Sequence, residues 1–219
     1  MIKAIVFDFD GVLADTEPLH FRAYQEVLAS VATTLTREEY YERLVGYNDE
    51  DCFRLIAQSR GWEPDESRIA ALVADKGRVF EQVILDTDTL YAGAAGCVER
   101  MAAEFPLGIA SGALKHEILL TLRRARLDHH FRFIVGSGDT PKSKPAPDPY
   151  IRAAEKHGLL PRECVAIEDS RWGLESARSA GLRTVGITHT YPAEQLGASD
   201  VVIKSLAEFT PELVRSIGS

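Results

Sequence analysis

The chain has 219 residues, 45% of them hydrophobic, enough to bury a substantial core as one large domain or as one domain carrying an insertion. A formal net charge of −8 argues against a nucleic-acid partner, and no apolar stretch approaches the roughly 18 residues of a membrane span. Three scattered cysteines, Cys52, Cys97 and Cys164, lack CxxC spacing and suit free thiols in a reducing cytoplasm better than a disulfide frame or a zinc site.

The opening run Ile2 to Phe7 reads as a buried strand and meets Asp8 too early for a signal peptide. From Thr16 to about Leu85 no strand follows. Amphipathic stretches at Glu38 to Leu44, Asp51 to Arg60 and Ile69 to Leu85 predict helices, punctuated by Gly46 and Gly61-Trp62-Glu63-Pro64. This segment is also where the negative charge gathers: Thr16 to Asp88 holds 15 acidic and 8 basic residues, against 18 and 17 in the remainder. Charge and period change together, so residues 16–88 are expected to form an all-helical insertion in a domain built from 1–15 and 89–219.

After the insertion, short apolar runs and helical patterns alternate. Strands are expected at Leu107 to Ala110, Phe133 to Val135, Cys164 to Ile167, Thr184 to Ile187 and Val201 to Ile203. Helices are expected at Ala94 to Glu104, His116 to Ala125, Pro149 to His157 and Leu174 to Ala180, with Gly158 and Gly181 where C-terminal caps belong. The strand runs lack period-two alternation, as parallel strands covered on both faces do. The fold class is α/β, a Rossmann-like parallel sheet.

In such sheets ligands bind beyond the carboxyl ends of the strands, so the residues after each strand are the candidates. The first strand delivers Asp8 and Asp10. The second, LGIASGALK, delivers Ser111, Gly112 and then Lys115; the third is followed by KSKPAPD with Lys142 and Lys144; the fourth, VAIEDS, ends in Glu168 and Asp169. Each alone has a plain structural reading: a helix cap for an aspartate or for Ser111, a surface position for a lysine, a helix start for Glu168-Asp169. Their order at successive strand ends suits phosphoryl transfer. Carboxylates from two strands, with waters and a phosphate oxygen, make the all-oxygen octahedron that Mg²⁺ prefers. Ser111 and helix N-terminal N–H groups can hold phosphate oxygens, and Lys144 can offset the charge of an attacking carboxylate. There is no GxxxxGK[ST] loop for a nucleoside triphosphate.

DFDGV, the Ser111 strand end, KSKPAPD and IEDS, in that order, resemble the four motifs of the haloacid dehalogenase superfamily of phosphotransferases, and the insertion resembles the cap of its β-phosphoglucomutase-like subfamily. The resemblance implies that Asp8 is a nucleophile forming an aspartyl-phosphate and that Asp10 is the general acid and base. It also implies that Asp8, the Asp10 backbone carbonyl and Asp169 bind Mg²⁺, with Glu168 acting through a metal-bound water. The dehalogenases themselves lack the second aspartate and need no metal, so Asp10 with Glu168-Asp169 argues against that activity. A non-catalytic binding module would be favoured by loss of Asp8 or Asp169, and neither is lost.

The expected function is therefore a Mg²⁺-dependent phosphatase of small phosphorylated metabolites, sugar phosphates included, with a phosphomutase as the alternative. His20 and Lys76 resemble cap positions of the mutases and are candidate substrate-binding residues; a hinge-helix histidine and an exposed helix lysine are their plainer readings. In GYNDEDCF, Asp49 stands where the mutases carry an arginine. A carboxylate facing a second phosphate would be repulsive by about 1–4 kcal/mol, which favours the phosphatase. His129-His130, Trp62, Trp172 and Tyr40-Tyr41 read as surface or packing residues. No residue pattern speaks to oligomeric state.

Overall fold

The computed structural model describes residues 1–45, 47–63, 65–85, 87 and 89–217. Gly46, Pro64 and Asp88, which punctuate or bound the insertion in the sequence, lie outside them. The chain divides into two compact units, one of Met1–Asp15 with Leu90–Ser219 and one of Thr16–Thr89.

The first unit is built on a six-stranded sheet of β1 (Ala4–Phe7), β2 (Leu107–Ala110), β3 (Phe131–Val135), β4 (Cys164–Glu168), β5 (Arg183–Ile187) and β6 (Val201–Ile203). The spatial order is β3-β2-β1-β4-β5-β6, and every pair is parallel. The order reverses at β1, which lies between β2 and β4. That is the switch point where an open sheet leaves a crevice at its carboxyl edge.

The two faces of β1 show why the strands read as continuous apolar runs. Ile5 and Phe7 pack with Ile109, Val165, Ile167 and Val185 in a core closed by α5 (Ala94–Ala102), α6 (Lys115–Arg124) and α9 (Pro211–Ile217). Ala4 and Val6 face the other way, with Ala110, Val135 and Ala166, against α7 (Asp148–His157) and α8 (Arg171–Ser179). Burial on both faces removes any reason for a polar alternate residue. β3 is longer than its apolar core predicts, because Phe131 and Arg132 at the sheet edge are only partly covered or exposed. Gly158 and Gly181 adopt left-handed backbone at the helix ends where caps are expected.

The second unit contains α1 (Glu17–Ser30), α2 (Arg37–Arg43), α3 (Asp49–Ser59) and α4 (Glu66–Leu85). Thr36 and Glu39 form a reciprocal capping box that starts α2, and the Asn48 side chain caps α3 by accepting from Asp51 N–H. α1 lies where the periodicity marks no helix. Its buried seam is His20, Ala23, Tyr24, Val27 and Leu28, correctly spaced but with a histidine in place of a hydrophobe. Tyr40 is buried beside Phe21 and Tyr24 in the core of this unit, as its packing reading expects. Among the described residues no helix is long and apolar enough to cross a membrane.

Candidate active site

Register brings the strand ends level. Phe7 pairs with Ile109 on one side and Ile167 on the other, and Asp8 N–H donates to the Ile167 carbonyl at 3.0 Å. The residues just beyond β1, β2 and β4 therefore emerge together. Asp8, Ser111, Lys144, Glu168 and Asp169 are all buried there, and Asp10 is half-buried.

Asp8, Glu168 and Asp169 each present an oxygen, and these oxygens all lie within 4.8 Å of one another. Lys144 enters this acidic group, with Nζ 2.9 Å from Asp8 Oδ1 and 2.6 Å from Glu168 Oε1. Lys142, two residues earlier, is exposed. Asp8 Oδ1 also accepts from the Phe9 N–H at 2.7 Å, so two donors fix the rotation of its carboxylate. Burial and the neighbouring Glu168 charge push the Asp8 pKa well above the carboxylate range, against the pull of Lys144, and Asp169 and Asp10 add to the push. Burial works against the Lys144 ammonium, but Asp8 and Glu168 outweigh it and raise its pKa. Counting Asp10, four acids converge here, and Lys144 pairs with two of them.

Glu168 is held through both of its oxygens. Its Oε1 accepts from Lys144 and from the Tyr150 hydroxyl, each at 2.6 Å, and its Oε2 accepts from the Ser170 hydroxyl at 3.3 Å. Ser170 also caps α8 through Gly173 N–H at 3.1 Å. Gly173 is required by close approach, since a Cβ there would sit 2.0 Å from the Glu168 carboxyl. Gly11 has φ +76°, and its Cβ would lie 1.9 Å from Asp169 Oδ2. The first loop thus gives way for the acid of the fourth strand. Tyr150, Ser170 and Gly173 escape a reading of strand ends. Their signal is positional: Tyr150 follows KPAPDP on the first turn of α7, and Gly173 lies one helical turn beyond the acid pair.

Ser111 Oγ lies 3.4 Å from Asp10 Oδ2 and accepts from Ala113 N–H at 3.1 Å. It does not cap α6, whose cap position is Leu114. At the half-buried Gly112 a Cβ would meet no atom within 4 Å, so the backbone there borders open space. Trp172, three residues after Asp169, stands edge-on to Tyr191 with ring centroids 6.1 Å apart and lies under the Arg171 guanidinium.

His20 and Lys76 belong to the helical unit, which brings them together. Lys76 Nζ lies 2.7 Å from His20 Nδ1 and 3.0 Å from Asp49 Oδ1, over the faces of Phe80 and Tyr24. His20 stacks on Phe80 with a centroid separation of 4.1 Å, and the Tyr24 hydroxyl donates to Asp49 at 2.6 Å. Lys76 is 1% exposed, so it is no surface lysine. Burial opposes ionisation of Asp49, yet Lys76 and His20, with the Tyr24 hydrogen bond, hold its pKa below the carboxylate range. The unopposed negative charge expected at Asp49 is therefore compensated inside its own unit, which removes much of the expected repulsion toward a phosphate.

The family model described as haloacid dehalogenase-like hydrolase matches residues 5–187. The chain belongs to that family. It is 30% identical over 192 residues to the phosphorylated carbohydrates phosphatase of Thermotoga maritima, covering 86% of this chain and 87% of that protein. It is also 30% identical over 218 residues to the β-phosphoglucomutase of Bacillus subtilis, covering 97% and 94%. Among solved structures, a mutant of the protein CbbY from Rhodobacter sphaeroides in complex with xylulose-(1,5)bisphosphate matches with a TM-score of 0.85 and 29% identity, over 95% of this chain and 96% of that one.

Proposed function

We propose that this family member is a Mg²⁺-dependent phosphatase of small phosphorylated metabolites, sugar phosphates included, acting through a phosphorylated Asp8. The observation that carries the reading is the gathering of acids at the switch point: buried oxygens of Asp8, Glu168 and Asp169 lie within 4.8 Å of one another, and Lys144 pairs with Asp8 and Glu168. That spread is comparable to the about 4 Å across an octahedral Mg²⁺ shell, and hard carboxylate oxygens are the donors this ion selects. Asp8, the Asp10 carbonyl and Asp169 would hold the ion, while Glu168, already taken by Lys144, Tyr150 and Ser170, would reach it through water. Bound there, Mg²⁺ supplies positive charge that keeps Asp8 ionised and lessens its repulsion from an anionic phosphate.

The chain's own residues then divide the work. An Asp8 carboxylate oxygen attacks phosphorus while the bond to the departing oxygen breaks, and Asp10 gives that oxygen its proton. Asp10, as carboxylate, next takes a proton from water, whose oxygen attacks phosphorus and frees Asp8 and inorganic phosphate. Ser111 and the backbone at Gly112 would hold phosphate oxygens, and Lys144 orients Asp8. The α/β unit is the catalytic core in this reading, and the helical unit is the cap that selects the substrate. The substrate is a small cytoplasmic metabolite, not a nucleic acid or a membrane lipid.

The names of the relatives support both a phosphatase and a mutase. His20 and Lys76 favour the mutase reading if they meet substrate, but Lys76 is already matched by Asp49, which leaves less positive charge to retain a bisphosphate. The test is inorganic phosphate release from a panel of sugar monophosphates, with Mg²⁺ and with EDTA. Release that is unchanged by EDTA refutes the metal site. With β-glucose 1-phosphate and a bisphosphate primer, hydrolysis should outrun formation of glucose 6-phosphate, and the opposite order makes this a mutase.

A further inference from the structure

The α/β unit is interrupted after Asp15 and resumes at Leu90, and the two ends are joined within that unit. Ala14 pairs with Leu90 in an antiparallel bridge, and Tyr91 N–H donates to the Leu13 carbonyl at 3.0 Å. The loop after β5 reaches both. Its base is fixed to the sheet by Thr188 N–H, which donates to Ile203 of β6 at 3.0 Å. Next along, His189 stacks on Tyr91, with ring centroids 4.0 Å apart and planes inclined by 27°, and its Nδ1 lies 3.0 Å from the Gly11 carbonyl.

A carbonyl oxygen only accepts, so the proton must be on Nδ1. Burial lowers the His189 pKa against the Gly11 bond and the Asp15 charge, which keeps the ring neutral at neutral pH. The Gly11 turn is itself wedged: from the position of a Cβ, Asp169 Oδ2 lies 1.9 Å away and Thr190 Oγ1 2.8 Å away. Asp10 is the preceding residue. The turn held by that bond directly follows Asp10 and passes close against the Asp169 carboxylate, so loosening it would loosen the backbone support of both acids.

We infer that His189 is a positioning residue for the acid loop, holding the Gly11 turn through Nδ1 and tying it to the returning chain through Tyr91. The inference rests on reading the Asp8–Asp10–Asp169 group as the reaction centre. It distinguishes the donor from the ring. His189→Phe keeps an aromatic face for Tyr91 and removes the donor, whereas His189→Asn keeps a donor near the Nδ1 position and removes the ring.

Two readouts on the full chain decide it: steady-state hydrolysis of p-nitrophenyl phosphate with Mg²⁺, and amide hydrogen exchange at Gly11 and Tyr91. His189→Phe should lower kcat about tenfold with KM within about twofold, and His189→Asn should recover to within about threefold of the parent. Exchange at both amides should quicken about tenfold in His189→Phe and stay near the parent rate in His189→Asn. Equal impairment of the two variants, or faster exchange in His189→Phe with kcat unchanged, overturns the inference. A parent protein that hydrolyses no phosphate monoester defeats the proposed function instead, and the exchange comparison still reports whether His189 holds the turn.

Discussion

Lys144 in the α/β unit and Lys76 in the helical unit are built alike and balanced differently. Each is buried, each lies about 3 Å from a carboxylate, and each ammonium sits over an aromatic ring, Tyr150 for one and Tyr24 and Phe80 for the other. Around Lys144 the acids are in excess, since Asp8, Glu168, Asp169 and Asp10 all converge on the same strand ends. Lys76 pairs with Asp49 and donates to His20 Nδ1, and the Tyr24 hydroxyl donates to the same Asp49 carboxylate. The pKa shifts carry the same contrast, for Asp8 is pushed up and Asp49 is held down. A buried group with surplus negative charge calls for a cation. A balanced one is already finished and contributes to the fold.

The largest effect that separates the two should come from Asp8→Asn. Loss of a nucleophile costs many decades, so kcat should fall by at least about 10⁴-fold while the circular dichroism spectrum is unchanged. Asp49→Asn should leave kcat within about tenfold. Retention of more than about a tenth of the parent rate by Asp8→Asn would end the covalent mechanism.

Stability should respond in the other direction. Lys76→Met strands Asp49 in the interior of the helical unit, and removing one partner of a buried ion pair costs about 3–5 kcal/mol. The double change Lys76→Met with Asp49→Leu removes both charges and should recover most of that loss, because an apolar pair of similar volume replaces a buried salt bridge at little cost. Urea midpoints report both. If the double variant is no more stable than the single one, Lys76 is held by more than Asp49 and the balanced description fails.

Much of this was legible in the sequence, and for a physical reason. The acids at Asp8, Asp10, Glu168 and Asp169 interrupt apolar runs, and a strand end is where a carboxylate can be buried beside a ligand. Parallel strands in register then bring such ends together without further information. What the sequence does not display is the neutralising partner of each charge. Asp49 and Lys76 are separated by about a third of the insertion and meet because α1, α3 and α4 pack, so Asp49 reads as an open negative charge. The same holds for Tyr150 and Gly173: a tyrosine and a glycine in helices are ordinary until Glu168 is seen against both of them. α1 is unmarked by periodicity because its seam contains His20, a polar residue whose burial depends on Lys76 and Phe80 of α4, and only the hinge-helix reading of His20 hints at it.

Metal addition should sharpen the contrast further. At about 100 times its Kd, Mg²⁺ should stabilise the parent by about 2.7 kcal/mol, visible as a rise in the melting temperature. Asp49→Asn should show the same rise, and Asp169→Asn should lose it. A rise that survives in Asp169→Asn places the ion elsewhere.

The smallest effect is also the one whose sign is least intuitive. Asp8 has a folded-state pKa above its unfolded value, so its contribution favours folding below the unfolded pKa of about 3.9 and is lost as the pH rises through the folded value. Asp49 is the reverse: its folded pKa is depressed, so its contribution is present above the unfolded value and is lost as the pH falls through the folded one. In EDTA at pH 7, Asp8→Asn should therefore be more stable than the parent, by about 1 kcal/mol as at other strained functional sites, and the gain should shrink toward pH 4. Asp49→Asn should be less stable than the parent at pH 7 and approach it only in acid below pH 4. Excess Mg²⁺ should reverse the order for Asp8→Asn, because the parent then binds the ion that its surplus charge requires. Denaturation midpoints at pH 4 and pH 7, with and without Mg²⁺, read all of these signs. An Asp8→Asn protein less stable than the parent at pH 7 in EDTA would mean that Lys144 alone satisfies Asp8, and the charge imbalance on which the metal site rests would be gone.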